Sequence, residues 1–208
     1  MERGHNSDAL AVSLKGSCIA FVVADGVGSL EASPVASEVA ALAAAQWVER
    51  QTALDVAAVP SLVESVNSTV ATALAQHGVG ATTLACAIIS ADRSVLVTVG
   101  DSEAIAIGKT GPAVRLNDID NVPGNQNMLL AWIDGVIPIE PHVIEIGALP
   151  YRLCLVTDGI TKVLDYRRIA DVVRRADISD AARDLIVEAR TAGAADDVTA
   201  VVLSGRRR

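Results

Sequence analysis

The sequence predicts an α+β fold in which two antiparallel sheets are flanked by helices, and three observations lead there. Apolar runs of strand length come in groups rather than alternating strictly with helices, which argues against a parallel sheet. Within a group they are separated by short polar turns such as Asp92-Arg93 and Asp101-Ser102-Glu103, too short for crossover connections. Two segments with helical spacing stand between the first and second groups, and more helical segments precede a last apolar run.

In chain order, Ala9 to Leu14 and Cys18 to Ala24 read as a hairpin turning at Lys15-Gly16. Pro34 suits the first turn of a helix, with Ser33 as its cap, and Val35 to Gln51 continues with Ala, Leu and Val at helical spacing. So many alanines allow that helix to approach a sheet closely. A second helix runs from about Ser61 to Gln76, its buried face marked by Leu62, Val66, Val70 and Leu74, and Gly78 ends it. Ala81 to Ala91, Ser94 to Gly100 and Ala104 to Gly108 read as three strands of one antiparallel meander, with Val114 to Leu116 a further strand. Asn117 to Asn127 is rich in Asn, Asp, Pro, Gly and Gln and reads as a loop or small flap. Val143 to Ile146 and Tyr151 to Thr157 are strands on either side of a turn at Gly147-Ala148. Helical segments follow at Ile160 to Leu164, Arg168 to Arg175 and Ser179 to Arg190, Gly193 stops them, and Val198 to Leu203 is the last strand.

The 208 residues, 51% of them hydrophobic, fit one domain over residues 1–208 with a sizeable core. Only 2% are aromatic, which disfavours a surface that stacks bases. A formal charge of −8 argues further against nucleic-acid and anionic-membrane partners. Cys18, Cys86 and Cys154 are widely spaced inside apolar runs and form neither a disulfide framework nor a zinc pattern. Every apolar stretch is broken well before the roughly 18 residues that a membrane span needs. The first ten residues have no signal-peptide core, so the expected location is cytoplasmic.

The chemistry is carried by aspartates at strand ends. Phe21 to Ala24 runs into Asp25-Gly26, Val95 to Gly100 into Asp101-Ser102, and Arg152 to Thr157 into Asp158-Gly159; Asp196-Asp197 stands just before the last strand. One Asp-Gly is most simply a hairpin turn, and Asp134-Gly135 keeps that reading. Four strand ends bearing aspartate, far apart in sequence, suggest instead that the side chains converge. Carboxylates about 4 Å apart repel by about 4 kcal/mol at an effective dielectric of 20, so convergence requires cations. Oxygen ligands without cysteine or paired histidines select magnesium or manganese over zinc. Two such ions can lower the pKa of a shared water and clamp a phosphoryl group during in-line displacement. The sequence has neither a serine elbow nor a complete phosphate-binding glycine loop to suggest another chemistry.

Taken in order, Arg3-Gly4-His5-Asn6-Ser7-Asp8, Asp25-Gly26-Val27-Gly28-Ser29, Gly80-Ala81-Thr82-Thr83, Gly100-Asp101-Ser102, Thr157-Asp158-Gly159 and Asp196-Asp197-Val198-Thr199 resemble the motifs of the metal-dependent (type 2C) protein serine/threonine phosphatases of bacteria. The resemblance implies an αββα four-layer sandwich with two divalent ions, manganese or magnesium, between the sheets, hydrolysing phosphoserine and phosphothreonine in proteins. It assigns Asp25 as the carboxylate bridging both ions, the Gly26 carbonyl as a ligand of one, and Asp158 and Asp196 as ligands of the other. Asp101 is similar to the residue that helps hold a third, weaker ion in bacterial relatives. Arg3 takes the place of the arginine that binds substrate phosphate, and Asp8 that of an acidic residue acting on an ion or through its water. By the same resemblance Asn6 orders the first loop, and Thr82 and Thr83 shape the strand beside the site.

There are departures from the pattern. Ser7 replaces an acid or amide, Glu103 stands where an arginine often follows, and Asp197 replaces a frequent asparagine. Val27 cannot donate the proton that a histidine gives in some relatives, and no strand precedes the arginine motif. The expectation is weak phosphate affinity, with small aryl phosphates turned over in the presence of manganese. A phosphoprotein is the implied substrate, and a cognate Ser/Thr kinase stays open as a partner. The alternatives are a pseudophosphatase acting as a binding module and a phosphatase of an anti-sigma-type regulator.

Overall fold

The computed structural model describes residues 6–28 and 30–205. The first hairpin pairs β1 (Asp8–Ser13) with β2 (Ile19–Asp25). Two long helices follow, α1 (Ser33–Glu49) and α2 (Pro60–His77), then strands β3 (Leu84–Ile89), β4 (Ser94–Val99), β5 (Glu103–Ile107) and β6 (Ala113–Arg115). A small hairpin, β7 (Asn121–Val122) and β8 (Asn125–Leu129), precedes β9 (His142–Glu145) and β10 (Arg152–Val156). The chain closes with α3 (Asp158–Thr161), α4 (Tyr166–Arg175), α5 (Ala181–Thr191) and β11 (Ala200–Ser204).

The larger strands form two antiparallel sheets, ordered β1-β2-β3-β4-β9 and β11-β10-β5-β6. Three apolar cores separate the layers. Alternate residues of one strand serve different cores: on β2, Val22 and Ala24 face α1 and α2, whereas Phe21 and Val23 face the other sheet. On β10, Cys154 and Val156 pack with Ile169, Val173 and Leu185 of α4 and α5, whereas Leu153 and Leu155 join the inter-sheet core. Strands covered on both faces must be apolar throughout, which is why they read as unbroken runs. The result is the expected αββα sandwich. Ala36, Ala40, Ala41, Ala44 and Ala45 of α1 are buried, and side chains this small let the helix lie close to both α2 and the first sheet. All three cysteines are buried and free, as their apolar surroundings suggested.

The structure corrects two local expectations. Ser33 does not cap α1: its hydroxyl donates to the Val27 carbonyl at 2.9 Å and accepts from the Ala81 amide at 3.3 Å, tying the loop after β2 to the strand beside it. The meander is interrupted, because β3 and β4 pair in the first sheet while β5 crosses to the second and pairs with β10. Gly100 makes the crossing, with a φ of +88° and no space for a side chain, since an added Cβ would meet Thr83 Cγ2 at 2.7 Å. The strands on either side of the Gly147-Ala148 turn join different sheets: β9 pairs with β4 and β10 with β5 and β11. The stretch read as a loop or flap holds β7 and the start of β8. Asp134-Gly135 is the turn it was read as, Asp134 Oδ1 accepting from the amides of Val136 and Ile137 at 2.8 and 3.1 Å.

Candidate metal centre between the sheets

Asp25 ends a strand, with Gly26 next to it, and Asp158 starts a helix, whereas Asp101 lies in the connection from β4 to β5 and Asp196 in the loop between α5 and β11. Asp8 opens β1 and Asp25 closes β2, and the antiparallel register sets them directly opposite each other. Like charges facing across a ladder are destabilising. Around Asp25 the backbone is held firmly: its amide donates to Thr83 Oγ1 at 3.0 Å, and its carbonyl accepts from the Thr83 amide at 2.8 Å and the Thr82 hydroxyl at 2.9 Å. Thr83 Oγ1 lies 2.7 Å from Ser102 Oγ, linking the Asp25 strand to the residue after Asp101. Thr82 and Thr83 thus shape the strand, as expected.

From the second sheet, β10 delivers Asp158 into the first turn of α3, where a carboxylate is favoured by the exposed amides. The segment bearing Asp196 and Asp197 lies against it so closely that a Cβ on Gly159 would collide with the Asp197 carbonyl. Thr157 joins the two sheets: its hydroxyl donates to Asp8 Oδ2 at 2.8 Å and accepts from the Thr199 amide at 3.0 Å.

The first loop is fixed from three directions. Asn6 Oδ1 accepts from the Asp8 amide at 2.9 Å, as expected of an ordering residue. Asp197 Oδ2 accepts from the Ser7 amide at 2.8 Å, and the Ser7 carbonyl accepts from Ser37 Oγ at 2.6 Å and the Gly26 amide at 3.1 Å. Arg3 lies outside the described residues.

The electrostatics show that the carboxylates share one region. Burial pushes Asp25 well above the ordinary carboxylate range, and repulsion from Asp8, Asp158, Asp101 and Asp196 adds to it. Asp8 is raised to about 6 by burial, with a contribution from Asp197 that bonds from Thr199 and Thr157 partly offset. Asp101 also rises to about 6, through burial and then Asp158, against the opposing charge of Lys162. Asp8 Oδ1 is buried and receives no hydrogen bond of standard geometry among the described residues, an acceptor without a donor where a cation is expected.

Among the described residues, no three His, Cys, Asp or Glu side chains close into a ready cage around a single point. Small hard ions do not need one, since they keep several waters and take one or two carboxylates each. Acidic side chains that repel one another, with one buried oxygen lacking a donor, are a donor set suited to hydrated hard ions.

Two features escaped the sequence reading. Lys162, four residues after Asp158, places Nζ 2.5 Å from Asp158 Oδ2 and 3.5 Å from Asp196 Oδ2. Its spacing was the available signal, because residues four apart meet on one side of a helical turn. Beside it a cavity of about 280 Å³ is lined by Asp101, Glu103, Arg115, Asn121, Lys162 and Tyr166. In its wall Tyr166 donates to Glu103 Oε2 at 2.6 Å and Arg115 reaches the Tyr166 oxygen at 3.5 Å. Farther out, Asp120 Oδ2 accepts from the Gly100 amide at 2.8 Å, while its Oδ1 lies 2.8 Å from His142 Nε2, so His142 braces the crossing strand connection.

Two antiparallel sheets enclosed by helices, with acidic residues from both meeting at their seam, define the architecture of a metal-dependent phosphatase. The chain belongs to the protein phosphatase 2C family, whose profile matches residues 2–196. Among solved structures it is similar to the serine/threonine phosphatase Stp1 from Staphylococcus aureus, with a TM-score of 0.88 and 18% identity over 100% of this chain and 92% of that one. It is likewise similar to the Mycobacterium tuberculosis serine/threonine phosphatase PstP/Ppp, with a TM-score of 0.85 and 21% identity over 100% and 95% of the two chains. The catalytic domain of PstP in complex with two manganese ions gives a TM-score of 0.85 and 22% identity over 100% and 94%. A comparison with curated protein sequences gives no match. By family, the chain is a protein serine/threonine phosphatase.

Proposed function

We propose that residues 1–208 act as one catalytic unit that removes phosphate from phosphoserine and phosphothreonine of a cytoplasmic signalling protein. In this reading Asp25, the Gly26 carbonyl, Asp158 and Asp196 would hold two manganese or magnesium ions, Asp25 being shared between them. Asp101 contributes to a third ion, and Arg3 receives the substrate phosphate. When bound, the ions would supply an acidified water and neutralise the phosphoryl oxygens. The protein's own residues orient and exclude. Thr82 and Thr83 hold the Asp25 backbone, Thr157 aims Asp8 into the gap from the other sheet, and Asp197 fixes the loop that begins with the arginine motif.

The observation that carries this reading is the half-buried Asp25 carboxyl, set directly opposite Asp8 across the ladder and under repulsion from it and from Asp158, Asp101 and Asp196. A scaffold that only bound a partner would gain nothing from such opposition, and the bound-manganese relative supports cations as its purpose. The test is phosphate release from a phosphothreonine peptide with manganese present and then chelated, for the parent and for Asp158→Asn. Release that stops on chelation and falls by at least about 100-fold in the variant, the scale of one lost electrostatic contact to a transition state, supports the assignment. A variant as active as the parent refutes it.

A further inference from the structure

Lys162 stands where a divalent ion is expected. Its ammonium touches Asp158 and lies within ion-pair distance of Asp196, the two side chains proposed as ligands of one ion. An ammonium this close to two carboxylates offsets part of their mutual repulsion, as a bound cation would. Lys162 is the residue that caps the C-terminal end of the short helix opened by Asp158, and its amide donates to the Asp158 carbonyl at 2.8 Å, so it reaches the carboxylates without any rearrangement of the backbone. The adjoining cavity of about 280 Å³ gives the displaced side chain somewhere to go.

We infer that Lys162 is a tethered counter-ion that occupies the Asp158–Asp196 position and competes there with the second divalent ion. This rests on the proposed ligand assignment. It gives the two ions unequal roles: the one assigned to the Gly26 carbonyl meets no such competitor among the described residues, whereas the one assigned to Asp158 and Asp196 must displace an ammonium paired with both carboxylates. Displacing that pairing weakens the second ion by about tenfold. The protein would therefore hold one ion firmly and take up the other only when manganese is plentiful.

The test is calorimetric titration of manganese into the parent, Lys162→Met, Lys162→Gln and Asp25→Asn at one neutral pH. The expected result is two unequal sites in the parent, with the weaker tightened about tenfold in both Lys162 variants and the tighter unchanged within about twofold. A purely structural role for Lys162 would instead leave the weaker site unchanged or loosen it, and either result overturns the inference while leaving the metal assignment intact. Parent protein that binds no manganese, or binds it as well after Asp25→Asn, overturns the metal assignment and the inference with it. Thermal melting gives a second readout independent of turnover. In chelator both Lys162 variants should melt below the parent, and manganese should raise their midpoint by more than it raises the parent's; an equal or smaller rise counts against competition.

Discussion

Replacing Asp25 by asparagine should stabilise the ion-free protein while abolishing its response to manganese. The register places Asp8 directly across from Asp25, and side chains facing across an antiparallel pair have Cβ atoms about 5 Å apart. Two unit charges at that distance, at an effective dielectric of 20, repel by about 3 kcal/mol. Asp158, Asp101 and Asp196 add to this, while burial has already driven the Asp25 carboxyl toward its neutral form, which relieves part of the strain. Asparagine keeps the shape and removes the charge. A net gain of about 2 kcal/mol is a fair expectation, and for a chain of this size that moves the melting midpoint up by about 4–8 °C. The assay is thermal unfolding in chelator and again with manganese. The parent should be the less stable protein in chelator and should be raised by the metal; Asp25→Asn should start higher and stay there. A variant that melts at or below the parent in chelator, or still responds to manganese as the parent does, would refute the claim that these carboxylates are crowded for the sake of a cation.

Two further outcomes follow from the site. In Asp197→Ala the Ser7 amide loses its buried acceptor, which should cost about 1–2 kcal/mol and lower phosphatase activity through the first loop; differential calorimetry and a peptide KM measurement check it. In chelator, Asp8 is raised in the folded state to about 6 from an ordinary value of 3.8. The folded protein therefore binds more protons than the unfolded chain between those values, and this contribution to stability is lost as pH rises from about 4 to 6. Melting curves across that window should show a steeper fall for the parent than for Asp8→Asn.

Much of the architecture could be read from the chain because double burial leaves so plain a mark. Strands such as β2, β4 and β10 are apolar at nearly every position, and the aspartates that end them stand out against that background. The pattern shows that a strand is covered on both faces, but not which sheet it joins. That is why β3, β4 and β5 read as one meander, although Gly100 takes the chain from one sheet to the other. The same limit hides the fact that β9 and β10, on either side of one turn, belong to different sheets. Ser33 had the right chemistry and position to cap α1, yet a nearby carbonyl, Val27, offered a partner that local sequence cannot reveal. Asp134-Gly135 and Asp25-Gly26 look alike as letters; the amides of Val136 and Ile137 satisfy the first, while the second faces other aspartates. Lys162 and Asp197 were legible only by spacing, since their importance lies in what they touch across the fold.

The interleaved order of the strands has a practical outcome for the life of the protein. Asp8 and Asp25 come from the first eighth or so of the chain and Asp158 and Asp196 from its last quarter, and β5 and β6, from the middle, complete the sheet that β10 and β11 began. On the proposed assignment, neither end of the chain alone carries all the ligands. A single cut by a protease that frees either end would silence the enzyme at once, leaving no truncated remnant able to strip phosphates unchecked.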